Sequence, residues 1–156
     1  MQITTHSAQE TQAVAARILA SLDALPSSGS ALVIRLEGDL GAGKTTFVQG
    51  LVRAMGVTDA VRSPTFVLMK RYPRQGARDV VHMDCYRIHR PDEVASLDLP
   101  SLFTDPDVLM LIEWPERIAD ILPSSTLTIS LAHAGGDART ITIPDELSQG
   151  MENSVS

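Results

Sequence analysis

The chain of 156 residues has little cysteine, no excess of positive charge and no long apolar segment. Its single cysteine, Cys85, excludes an internal disulfide and suits a reducing compartment. The net charge of −6 argues against a broad basic face that binds nucleic acid on its own. The longest apolar run, residues 108–112, is too short to cross a bilayer, and the first residues lack the pattern of a signal peptide. We therefore expect a cytoplasmic protein that does not enter a membrane.

Length and hydrophobic content set the size of the folded part. A chain of 156 residues with 44% hydrophobic residues can bury a core of its own. We expect residues 1–144 to form one domain, and the polar tail, residues 145–156, to be disordered.

Residues 38–45 read G-D-L-G-A-G-K-T and fit the phosphate-binding P-loop pattern G-x-x-x-x-G-K-[ST]. An apolar, β-branched segment precedes them at residues 31–36, and apolar residues at helical spacing follow at residues 46–55. Strand, glycine loop and helix in this order are the context that the pattern requires, which favours a phosphate site over an incidental turn.

The chemistry of this loop follows from its residue types. Glycines allow the backbone to wrap closely, so that its N–H groups and the helix N-terminus converge on phosphate oxygens. Lys44 supplies a positive charge for the β- and γ-phosphates, and the Thr45 hydroxyl is suited to bind Mg²⁺. Thr46 either adds a hydroxyl near the α-phosphate or is an ordinary threonine at a helix start.

The remaining pattern predicts a mixed sheet. Residues 7–10 form a capping-box sequence at the start of a helix, and residues 64–72 and 79–86 indicate two strands joined by a turn. Pro91–Leu97 suggests a short helix, and Val108–Glu113 a buried strand. Residues 126–131 and 139–143 alternate like an antiparallel pair. We expect an α/β protein with the three-layer P-loop NTPase fold and a mixed central sheet.

Two carboxylates follow predicted strands and are candidates for a Mg²⁺ site. They are Asp84 and Glu113, and ligands of open α/β sheets gather at such strand ends. Trp114, the only tryptophan, is either part of this site or a core aromatic. The four histidines show no metal-ligand spacing, so we expect them in core or surface positions.

The combined pattern resembles the TsaE family of small bacterial ATPases, which act in threonylcarbamoyladenosine modification of tRNA. The resemblance extends over residues 7–143 and rests on the P-loop and on several further motifs in the family's order. These are Glu10-Thr11 and the segments 37–47, 63–66, 82–87 and 111–117.

The resemblance implies a role for each matching position. Lys44, Asp84 and Glu113 would be catalytic, and Thr45, Glu113 and Asp84 would bind Mg²⁺. The segment 63–66 would act as a switch near the γ-phosphate. The residues expected to contact ATP are Thr11, Asp39, Leu40, Gly41, Ala42, Gly43, Lys44, Thr45, Thr46, Trp114, Arg117 and Arg139.

The resemblance also implies a weak ATPase that supports the turnover of a partner complex. The expected partner is a heterodimer of the threonylcarbamoyl transferase subunit and its paralogous scaffold subunit, and tRNA is contacted only indirectly. A small-molecule kinase remains an alternative, although an arginine-rich lid is not evident. A GTPase is disfavoured because the N-K-x-D motif is absent. A nucleotide-gated binding module is the third possibility.

Overall fold

A computed structural model describes residues 1–57 and 68–152 of the chain. Within these residues, seven strands form a mixed sheet, accompanied by helices, which confirms the predicted α/β fold class. The predicted segment 63–66 and the first part of the strand predicted at 64–72 lie outside the described residues. The strands are β1 (Gln2–Thr5), β2 (Leu32–Glu37), β3 (Met69–Tyr72), β4 (Asp79–Asp84), β5 (Val108–Glu113), β6 (Leu127–His133) and β7 (Arg139–Thr142). The α-helices are α1 (Ala8–Ala24), α2 (Lys44–Ala54), α3 (Leu99–Phe103) and α4 (Asp145–Glu152), and Pro91–Leu97 and Pro115–Ile121 are 3-10 segments.

The described residues fall into two compact units. The first unit comprises residues 1–25, 37–57 and 128–152, and it holds α1, α2, α4 and an antiparallel set of strands in the order β1-β7-β6. The predicted antiparallel pair of β6 and β7 is confirmed, and β1 extends it.

Helix α1 begins where the capping pattern predicts. The Ser7 hydroxyl accepts a hydrogen bond from the backbone N–H of Glu10 at 3.1 Å. The Glu10 carboxylate accepts a hydrogen bond from the N–H of His6 at 2.7 Å. In a standard capping box the donor would be the N–H of the N-cap itself, which here is Ser7. The first bond satisfies an N–H group that a helix start would otherwise leave unpaired, and the second ties the residue before the N-cap to the first turn.

The second unit comprises residues 26–36 and 68–127 and holds the parallel strands. Its strand order is β2-β5-β4-β3, with β2, β5 and β4 parallel and β3 antiparallel to β4, as the predicted hairpin requires. Strand β5 lies between two parallel neighbours and is buried along its whole length, in line with its uniformly apolar sequence. One face of this unit packs on a core that includes Val81, Met83, Met110 and Ile112.

The C-terminal segment departs from the sequence expectation. Of the tail 145–156 that the sequence predicts to be disordered, Asp145–Glu152 form helix α4 with Leu147 and Met151 buried, and residues 153–156 lie outside the described residues. These two residues are four positions apart, so they share one helix face, and α4 packs against α1. The mostly polar composition of this segment does not predict a helix, because only two apolar side chains hold α4 against α1. None of the helices in residues 1–57 and 68–152 has both the length and the apolar character to cross a membrane.

Candidate nucleotide-binding site

The P-loop connects β2 to α2 through backbone that requires glycine. Gly38, Gly41 and Gly43 have φ angles of +143°, +77° and +102°, a region that residues with side chains rarely adopt. Gly43 is the N-cap of α2 and provides no side-chain cap, so the first turn of the helix begins directly at Lys44. Because helix N-termini carry partial positive charge, this turn is suited to phosphate.

Lys44 lies across the loop rather than extending into solvent. Its side chain is buried, and its ammonium group donates hydrogen bonds to the carbonyl oxygens of Gly38 and Asp39, the latter at 3.0 Å. Thr45 and Thr46 follow in the first turn of α2 and are half-buried, whereas Leu40 at the tip of the loop is 70% exposed. The loop is therefore held in a compact turn by the lysine that the motif predicts.

A cleft of about 360 Å³ opens beside the loop in the first unit. Five residues predicted to contact ATP line it together, and four further lining residues were not predicted. The predicted residues are Thr11, Gly41, Gly43, Thr46 and Arg139, and the others are Ser7, Ala8, Gln9 and Asp137. Residues 7–9 lie within one turn of Thr11 at the start of α1. Helix periodicity could therefore have predicted that they line the same cleft as Thr11.

Two of the cleft residues already have partners within the unit. The Thr11 hydroxyl lies 2.8 Å from the Thr5 hydroxyl. The Arg139 guanidinium donates to the carbonyl oxygens of Gly136 and Ala138 at 3.1 Å and 2.8 Å. These bonds fix the side chain of Arg139 at the β6–β7 turn, so its charge is held at the side of the cleft.

The two predicted acidic residues lie side by side in the second unit. The parallel register of β4 and β5 pairs Asp84 with Glu113 at the C-terminal ends of both strands. Both residues are buried; Asp84 accepts from the N–H of Tyr86 at 2.9 Å, and Glu113 lies 2.9 Å from the imidazole of His82. The spacing of the histidines predicts only a core or surface position for His82 and does not indicate its contact with Glu113.

Trp114 and Arg117 follow β5 directly. Trp114 has φ +57° and ψ +49°, a left-handed conformation that is unusual for a bulky residue. Its half-buried ring packs against the apolar core and lies 5.0 Å from the ring of Tyr86. Trp114 is therefore a core aromatic, while its contact with a nucleotide stays a prediction. Arg117 is exposed in the second 3-10 segment.

Cys85 directly follows Asp84, and it packs in the apolar core. Burial raises the pKa of its thiol to about 12, and the negative charges of Asp84, Glu116 and Glu113 act in the same direction. A neutral, buried thiol is a poor nucleophile, so Cys85 is a packing residue.

The carboxylates suit Mg²⁺ that is shared with phosphates. Among the described residues, no three side chains from histidine, cysteine, aspartate and glutamate form a site that could hold a metal alone. Mg²⁺ typically takes one or two carboxylates and completes its shell with phosphate oxygens and water. Asp84 and Glu113 fit this requirement, since they are adjacent oxygen donors at a strand end.

A glycine loop between a parallel strand and a helix, with a lysine at the helix start, defines a P-loop protein of the α/β class. The model of the family described as "Threonylcarbamoyl adenosine biosynthesis protein TsaE" matches residues 5–141. The chain belongs to the TsaE family.

Individual relatives agree with this assignment. A tRNA threonylcarbamoyladenosine biosynthesis protein TsaE from Bacillus subtilis is 44% identical over 110 residues, which is 70% of this chain and 67% of that protein. The protein of the same name from Treponema pallidum is 36% identical over 92% of this chain and 99% of its own length. The crystal structure of Bacillus subtilis YdiB superposes with a TM-score of 0.74 at 30% identity, over 100% of this chain and 96% of that one. Family membership places the chain in tRNA threonylcarbamoyladenosine biosynthesis.

Proposed function

We propose that the protein is a weak, Mg²⁺-dependent ATPase that supports threonylcarbamoyl modification of the adenosine next to the anticodon. It acts in the cytoplasm on a partner complex formed by the transferase subunit and its paralogous scaffold subunit. Its own net charge of −6 supports indirect contact with tRNA, because a protein that binds phosphates over a broad surface is usually basic.

The observation that carries this proposal is the position of Lys44. A lysine that is 5% exposed and bonded to two loop carbonyls is held at the start of α2, where an anion is favoured. A lysine ammonium binds phosphate as a point charge, so a polyphosphate at this turn would be a strong additional partner. The glycine conformations leave the loop amides suited to the same anion.

The remaining residues take roles around this anchor. Lys44 and the loop amides hold the β- and γ-phosphates, and Thr46 and Arg139 contact the nucleotide beside the cleft. Thr45, Asp84 and Glu113 hold Mg²⁺, which supplies positive charge to the phosphates. The other predicted contacts are Thr11, Asp39, Leu40, Gly41, Ala42, Gly43, Trp114 and Arg117.

The test compares the two lysines of the chain, Lys44 and Lys70. Threonylcarbamoyl transfer to tRNA is reconstituted from the partner proteins with the wild-type chain, Lys44→Ala or Lys70→Ala. Lys70 is exposed and lies 5.1 Å from the centroid of the Tyr72 ring, so its loss removes the same charge without touching the loop. We expect multiple-turnover modification and ATP hydrolysis with wild type and Lys70→Ala, and a loss of about 10²-fold or more with Lys44→Ala.

Two results would reject the proposal. Equal modification without this chain, or with Lys44→Ala, would remove the accessory role. Transfer of the γ-phosphate of ATP to a small acceptor in place of water would support the alternative of a small-molecule kinase.

A further inference from the structure

His82 and Glu113 form a buried pair on the face of the sheet that also carries Asp84. Strand β4 pairs with β5 so that His82 is level with Leu111 and Asp84 with Glu113. Residues two apart in a strand share a face, so His82, Asp84 and Glu113 point to the same side. The Nε2 atom of His82 lies 2.9 Å from Oε1 of Glu113, with the two side chains 0% and 3% exposed.

The contact assigns the roles of the two ring nitrogens. A carboxylate can only accept hydrogen bonds, so Nε2 is the donor. The Nδ1 atom is buried and has no hydrogen-bond partner among the described residues. A proton at Nδ1 would be a buried donor without an acceptor among the described residues, so the geometry favours the tautomer with its proton at Nε2.

The hydrogen bond fixes one oxygen of the carboxylate. Within residues 1–57 and 68–152, His82 is the side chain that hydrogen-bonds to Glu113. A glutamate side chain has three rotatable bonds, and a hydrogen bond to Oε1 from the fully buried ring of His82 in β4 restricts them. The second oxygen keeps its capacity to bind a cation.

We propose that His82 is a positioning residue that orients the Glu113 carboxylate for Mg²⁺. The inference rests on the proposed function, in which Glu113 holds the metal. Partners that hydrogen-bond to a metal ligand orient it and tune its basicity, and their loss typically lowers metal affinity by 10–100-fold. A purely structural histidine would affect folding stability without this selective loss.

The experiment measures nucleotide binding as a function of Mg²⁺ concentration for three variants. His82→Gln retains an N–H donor at about the reach of Nε2, His82→Asn carries a donor that falls short of it, and His82→Leu has none. His89→Gln is the matched control, since His89 is exposed on the loop after β4. Binding of a fluorescent ADP analogue is titrated with Mg²⁺ and, separately, in EDTA, and unfolding is followed in urea.

We expect His82→Leu and His82→Asn to raise the half-saturating Mg²⁺ concentration by about 10–100-fold. His82→Gln should recover most of the wild-type value, and binding in EDTA should stay the same in every folded variant. If His82→Leu fails to fold, the comparison of His82→Gln with His82→Asn tests the positioning role. The same Mg²⁺ dependence in Gln, Asn and wild type would overturn the positioning role.

The wild-type titration separates this inference from the function on which it rests. Nucleotide binding that does not respond to Mg²⁺ in the wild type would reject the metal site itself, and the role of His82 with it. A wild type that responds, together with variants that respond equally, would reject only the role of His82.

Discussion

The carbonyl oxygen of Leu131 occupies the place that a side chain on Gly38 would need. A Cβ atom built on Gly38 would lie 2.2 Å from that oxygen, well inside van der Waals contact. The first glycine of the P-loop is thus required by the close approach of β6 as well as by its φ angle of +143°. The motif glycine has a packing role in addition to any role in phosphate binding.

We expect Gly38→Ala to destabilise the protein and to impair nucleotide binding. The new methyl group meets backbone, which cannot rotate away, so either β6 or the loop must move. Overpacking of this kind costs about 1–3 kcal/mol, and the strained φ adds to it. Urea unfolding, with the midpoint and slope fitted separately, measures the loss.

Gly41→Ala is the control for the stability measurement. Its Cβ would lie 3.6 Å from the His133 imidazole, an ordinary contact, so only the positive φ is penalised, at about 1–2 kcal/mol. Equal stability of the Gly38→Ala variant and the wild type would contradict the close packing of the loop on β6.

A second glycine holds two helices together. A Cβ on Gly50 of α2 would lie 2.4 Å from the Cα of Gln12 in α1. We therefore expect Gly50→Ala to lower the free energy of unfolding by about 1–3 kcal/mol, although alanine is the better helix former by about 1 kcal/mol. Chemical denaturation measures the change.

Gly150→Ala in α4 is the matched comparison for Gly50→Ala. Its nearest neighbours would be the Ser21 hydroxyl at 2.8 Å, which can rotate away, and the Ser21 Cβ at 3.1 Å, a tight contact that is still longer than the contact at Gly50. We expect a clearly smaller loss for this variant. A Gly50→Ala variant as stable as Gly150→Ala would show that α1 and α2 are not closely packed at this point.

The extent to which the sequence predicts this structure depends on how local each signal is. The P-loop, the hairpin of β3 and β4 and the buried β5 follow from short-range patterns, and each is present. Strand β1 was missed because four residues give no usable periodicity, and its pairing with β7 is a contact between the two ends of the chain.

The candidate site shows the same limit. Asp84 and Glu113 could be predicted because each directly follows an apolar run. The pairing of His82 with Glu113 depends on the parallel register of β4 and β5, which spacing along one strand does not contain. Asp137 was missed because it lies in a turn with no recognisable motif.

Trp114 should report nucleotide binding by fluorescence, because it is the only tryptophan and directly follows Glu113. Its half-buried ring lies against Tyr86, so a change of charge at the neighbouring carboxylate alters its surroundings. We expect the emission to change on addition of ATP and Mg²⁺ and to saturate with binding, and Lys44→Ala to abolish the response. An unchanged spectrum at saturating nucleotide would leave Trp114 with its core role alone.

Cys85 should resist alkylation in the folded protein. Burial, reinforced by the nearby carboxylates, raises the pKa of the thiol from its ordinary 9.0 to about 12. At pH 8 the thiolate fraction is then about 10³-fold smaller in the folded state than in the unfolded state. Because the raised pKa favours the protonated thiol in the folded state, Cys85 contributes to the free energy of unfolding below pH 9. This contribution is lost as the pH rises towards 12. Iodoacetamide labelling followed by mass spectrometry should proceed about 10³-fold more slowly in buffer than in urea. The free energy of unfolding of a Cys85→Ala variant should fall less steeply above pH 9 than that of the wild type. Equal labelling rates in buffer and urea would show that the thiol is accessible and would contradict the buried position of β4's C-terminal end.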